Sequence, residues 1–134
     1  MGQQQLLLII LGVIVVGIAV AVGITMFTDN AQSANRDAVT NDLVNLASRA
    51  QQYYRRPQAL GGGEGKFDGL TLQMLTSKAV NANGTYALVS GNTGQGPVVL
   101  SGTGKETGYD GSSPVFVQMQ VWADSSKVDV AQTN

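Results

Sequence analysis

Hydrophobic side chains fill the front of the chain without a break. Leu6 to Phe27 reads LLLIILGVIVVGIAVAVGITMF, twenty-two residues with no charge. As a helix this stretch spans about 33 Å at about 1.5 Å per residue, long enough to cross a bilayer. From Ala31 to Arg56 the pattern changes: Pro and Gly are absent, and Val39, Leu43, Leu46, Ala47, Ala50, Tyr53 and Tyr54 recur at spacings of three and four. That period predicts an amphipathic helix with Arg36, Asp37, Asn41, Asn45, Arg49 and Gln52 on its polar face. Arg55, Arg56 and Pro57 mark its end, because cations suit the last turn and proline cannot continue the ladder. Residues 2 to 56 are therefore expected as one rod about 80 Å long. A separate second helix capped by Asp29 or Asn30 is the alternative.

After Pro57 the pattern breaks into short runs separated by Gly, Asn and Ser, as in a small antiparallel sheet. Thr71 to Lys78 fits either one helical turn through Leu72 and Leu75 or a strand through Leu70, Leu72 and Met74. Gly84 to Ser90 and Pro97 to Ser101 are expected strands. Val115 to Ala123 alternates most clearly, with Val115, Val117, Met119 and Val121 on one face and Phe116, Gln118, Gln120 and Trp122 on the outward one. A turn at Asp124-Ser125-Ser126 leads to Lys127-Val128-Asp129-Val130, whose valines join the buried face. The fold class expected is α+β: a long helix on a four-stranded antiparallel sheet. Leu43, Leu46, Ala50 and Tyr54 form the lid over Val117, Met119, Val121, Val128 and Val130. The organisation is an apolar helix over 1–28, its amphipathic continuation over 29–57 and a β head over 58–134.

Charge and composition narrow the function. Charged residues make up 13% of the chain and the formal net charge is -1, so no basic face suits a nucleic acid backbone. Cysteine and histidine are absent, which removes thiol nucleophiles, disulfides, the usual zinc sites and the best proton carrier near neutral pH. Neither a catalytic residue nor a metal or cofactor site is expected, and the chain is not read as an enzyme. Asp37 and Asp42, five apart on a helix, do not share a face and are expected on solvated surface. Gly61-Gly62-Gly63-Glu64-Gly65 lacks the Lys-Ser or Lys-Thr of a phosphate loop and is expected as a flexible connector. Asn83-Gly84-Thr85 fits both a glycosylation sequon and a favoured turn, which makes Asn83 a candidate modification site. Phe27, Tyr53, Tyr54 and Phe67 are read as packing residues rather than an electron path. No Lys or Arg precedes Leu6, and the apolar run exceeds the 7 to 15 residues usual in a cleavable signal, so the segment is expected to be retained.

A greasy N-terminal helix whose amphipathic second half carries a four-stranded antiparallel sheet resembles the type IV pilins and the pseudopilins of type II secretion. The resemblance covers the whole chain in architecture. It implies a structural subunit held in the inner membrane by its apolar segment, then extracted into an extracellular filament at the cell surface. The implied partners are the membrane, the pilus or secretion assembly machinery, and other copies of the chain packed through Gln5, Leu6, Leu8, Leu11, Val15, Ile18, Val22 and Phe27. Those families carry a short basic leader and a Glu at the fifth mature residue, where this chain has Gln5 and no visible leader. Met1 is then the processed first residue, Met1-Gly2 is the remnant of a very short leader, or none is used. The proline common near the end of the family's apolar segment is missing, which leaves Gly12, Gly17 and Gly23 as points where the helix loosens. Spaced five and six apart, they do not make a GxxxG face. The alternative is a monomeric, membrane-anchored component of a secretion or uptake machine, and the third reading is a secreted binding domain with a cleaved signal.

Overall fold

With no proline before residue 57, nothing interrupts the helical ladder. In the computed structural model, which describes residues 2–90, 94 and 96–129, helix α1 runs unbroken over Gly2–Arg55. Asp29 and Asn30 lie inside it, so the two-helix alternative is set aside. The hydroxyls of Thr25 and Thr28 donate to the carbonyls of Ala21 and Ile24, at 3.1 and 3.0 Å, and so need no outside partner.

Beyond α1 come a single 3₁₀ turn (Gln58–Leu60), a short helix α2 (Leu72–Leu75) and four strands: β1 (Gly84–Ser90), β2 (Val98–Thr107), β3 (Pro114–Val121) and β4 (Ser126–Val128). The sheet is an antiparallel meander in the order β1-β2-β3-β4. Thr71 to Lys78 thus resolves toward the helical turn. The Gly-rich segment differs from the connector expected. The amides of Gly63, Gly65 and Glu64 donate to the carbonyls of Tyr53, Tyr54 and Arg56 at 2.8, 2.8 and 3.0 Å, closing acceptors that a helix end leaves open. A Cβ on Gly63 would collide with the Lys66 carbonyl, so the fold-back needs glycine there.

Strand β2 also differs: it continues six residues past Ser101, to Thr107. Gly102 and Gly104 resemble turn composition but serve close approach. A Cβ on Gly102 would stand 2.5 Å from Val39 Cγ1 on α1, and one on Gly104 would strike Asn35. The register aligns Leu88, Leu100, Met119 and Val128 across the sheet, with Val98 beside Val121. Against this face α1 buries Val39, Leu43, Leu46, Ala47 and Ala50, and Phe67, Leu70 and Leu75 complete the core. Tyr54 and Val128 are partly buried against it, with the Tyr54 and Phe67 rings 4.9 Å apart. Val130 lies outside the described residues. Strand β3 stops at Val121, one residue short of Trp122, which is half-buried and donates its amide to the Ser125 carbonyl at 2.8 Å.

Candidate assembly helix and its joint with the head

The candidate site has two parts on one rod. Its lower half carries the residues expected to serve assembly, and none of the residues from Gly2 to Asn30 is buried within the chain. Sixteen large apolar side chains between Leu6 and Phe27 are more than half exposed, among them Leu6, Leu8, Leu11, Val15, Ile18, Val22 and Phe27. Gln5 is exposed at the end of this surface. Gly12, Gly17 and Gly23 sit in regular helix, and a Cβ at any of them would meet nothing within 4 Å. No contact among the described residues therefore requires those glycines. By length and composition this is a helix able to cross a membrane, and an apolar N-terminal signal passes the same test.

The upper half is joined to the head by polar side chains that flank the apolar stripe. Asn35, Asp42 and Arg49, seven residues apart, run along one border. Asn35 Nδ2 donates to the Asn83 carbonyl at 2.9 Å, while its Oδ1 accepts from the amides of Lys105 and Glu106 at 3.0 and 3.2 Å. Arg49 donates to the Leu75 carbonyl. On the other side, Gln51 Nε2 reaches the carbonyls of Trp122 and Ser125 at 3.1 and 3.2 Å. Arg36, expected on the open polar face, is half-buried with its guanidinium 5.1 Å from the Tyr109 ring centre.

Asp42 departs furthest from expectation. Rather than facing solvent alone, its Oδ2 accepts from Asn81 Nδ2 and Asn83 Nδ2, each at 2.9 Å, and from the Tyr86 hydroxyl. Burial pushes this carboxyl up, but the bonds from Asn83, Tyr86 and Asn81 outweigh it and hold Asp42 below the ordinary aspartate value of 3.8. Burial first and then the Asp42 bond and charge push the Tyr86 hydroxyl well above its usual range. The amide of Asn83, the candidate glycan acceptor, is thus already engaged. Sequence reasoning missed Asn35, Asp42, Gln51 and Tyr86 as a joint. Its one local signal is the heptad spacing of polar residues beside the apolar stripe.

The buried lid and sheet residues Leu43, Leu46, Ala50, Val117, Met119 and Val121 meet as expected. Among the described residues no group of three His, Cys, Asp or Glu side chains is placed to hold a metal ion. No family model matches the chain, and searches of curated proteins and of solved structures return no match either.

Proposed function

We propose that this chain is the structural subunit of a pilin-like filament, held in a membrane by residues 6–27 before assembly and packed through the same residues afterwards. The observation that carries the reading is the uncovered apolar half of α1. Sixteen large apolar side chains there are more than half exposed. At about 2 kcal/mol each, leaving them in water would cost on the order of 30 kcal/mol, more than the 5–15 kcal/mol net stability of a typical domain. Such a surface needs lipid or other copies of itself, and the head covers only the upper half of the rod. Exchanging lipid for equally apolar neighbours changes the hydrophobic term little, so insertion and polymerisation use one surface and no catalytic step. Gln5 supplies hydrogen bonds but no charge for head-to-tail pairing, so cohesion falls to apolar packing.

The test is sedimentation of sheared filaments across a salt series and a detergent series. The subunit should remain pelletable in molar salt, which screens charges without weakening apolar burial, and dissolve in detergents that mimic lipid. Dissolution by salt alone, with detergent harmless, would overturn the reading. The missing carboxylate at Gln5 also favours a second reading, a monomeric membrane-anchored component of a secretion machine. That alternative predicts membrane-bound subunit and no polymer in either series.

A further inference from the structure

We infer that the β2–β3 turn, Gly108 to Ser113, is a membrane-interface anchor: in the membrane-resident subunit Tyr109 and Arg36 seat the base of the head in the zwitterionic headgroup layer. The inference rests on the reading above that residues 6–27 lie in a bilayer, and it follows from where the head is fastened to the rod. Strand β2 descends α1, with Gly102 against Val39 and Gly104 against Asn35, so its far end and the turn that follows are the part of the head nearest the apolar segment. Gln32 Nε2 holds the Gly108 carbonyl at 3.5 Å. Gln32 is five residues past Phe27, a rise of about 7.5 Å at 1.5 Å per residue. The polar layer on each side of a bilayer is about 5–8 Å thick, being half the difference between the full thickness and the hydrocarbon core. The turn is therefore carried to the headgroup level by the geometry of the rod alone.

The residues there suit that level. Tyr109 is 63% exposed in a turn held by the Gly108–Ser113 and Gly111–Gly108 backbone bonds. Its ring stacks with Arg36, whose side chain, like others on a helix, leans toward the N-terminus and so toward the bilayer. An amphipathic ring paired with a cation is the chemistry enriched at membrane interfaces. Asp110, Glu106 and Asp37 offset Arg36 and Lys105, so attraction to anionic lipid is not the driving term. The opposite end of the head provides an internal reference: Gln51 holds Trp122, nineteen residues or about 28 Å further up the rod.

Trp122 is the chain's one tryptophan, which makes the test direct. The full chain is reconstituted in phosphatidylcholine vesicles as wild type and as Trp122→Phe/Tyr109→Trp, and indole emission is measured with lipids spin-labelled at the headgroup or at the acyl end. In the double variant the emission should shift to the blue and lose most of its intensity to headgroup label, with little loss to acyl-end label. Wild-type emission should be unaffected by either. If both proteins float with the vesicles and the position-109 indole is as unquenched as Trp122, the anchor is refuted while membrane residence stands. If neither protein floats with the vesicles, the membrane reading and the anchor fall together. Tyr109→Ser in the wild-type background, measured by flotation, should leave vesicle association intact, because residues 6–27 supply it. Loss of flotation in that variant would overturn the division of roles proposed here.

Discussion

Asp42→Ala removes one acceptor from three donors that come from outside α1. Two of them, Asn81 and Asn83, are half-buried, and water can replace the lost carboxylate there at little cost. The third is the hydroxyl of Tyr86, a residue only 4% exposed, which loses its one charged acceptor. A hydrogen bond to a charged group contributes about 1.5–3 kcal/mol, and stranding a buried donor costs a similar amount. Counting the tyrosine bond in full and discounting the two amides gives a loss of about 2–3 kcal/mol. For a head of this size that lowers the midpoint by roughly 10 °C or more. The assay is thermal and urea unfolding of the full chain in mild detergent, followed by Trp122 emission so that the detergent-held helix does not mask the head. Asp37→Ala is the control, since Asp37 is exposed and has no hydrogen bond or ion pair among the described residues. It should change stability by less than about 0.5 kcal/mol. Adding Tyr86→Phe to Asp42→Ala should cost little beyond either change alone in a double-mutant cycle, because the two changes remove the same bond. Equal costs for Asp42→Ala and Asp37→Ala, or full additivity with Tyr86→Phe, would refute the assignment of Asp42 as the joint's acceptor.

The same carboxylate sets a pH response. Because Asp42 is held below 3.8 in the folded chain, its contribution is complete above about pH 5 and fades as pH falls through the folded value. Acid unfolding should therefore be steeper for wild type than for Asp42→Asn, and parallel curves would contradict this. Asp110, held at about 2 by the amides of Ser113 and Ser112, titrates in the same direction. Gly102→Ala places a methyl 2.5 Å from Val39 Cγ1 and should destabilise the head by about 1–3 kcal/mol through overpacking. Val39→Ala should partly rescue it, and a rescue of zero would mean that the helix does not approach β2 at this point. Leu8→Asp or Val15→Asp should abolish filaments by placing an unpaired charge in a dry core, and normal filaments from either would sink the assembly proposal.

Much of this architecture was legible because it is written in local periodicity. The stripe from Val39 to Tyr54, the proline stop and the alternation from Val115 to Val121 each depend on residues a few positions apart, and each appears where the pattern placed it. The joint was not legible, for a physical reason. Asn35, Asp42 and Gln51 bind partners 39 to 74 residues away, so beyond the heptad spacing of Asn35 and Asp42 beside the stripe nothing in their own neighbourhood marks them as anything but surface. The glycines misled in the same way. Gly102 and Gly104 fall just past the strand end expected at Ser101, and Gly63 sits in the expected flexible connector. What demands glycine at Gly102 and Gly104 is the nearness of side chains on α1, and at Gly63 the Lys66 carbonyl and the Tyr53 ring.

The fastening of the head at both ends has a mechanical consequence. Gln32 to Gly108 and Gln51 to Trp122 clip a rigid sheet to a rigid rod at points about 28 Å apart, with Asn35, Asp42 and the apolar stripe between them. A pull along the axis of the rod loads these attachments side by side, in shear, and they must yield together. A pull at right angles lifts one end and opens them in succession, as a zipper does. A head fastened this way resists tension along the rod far better than sideways peeling, the direction of strength that the proposed filament would need.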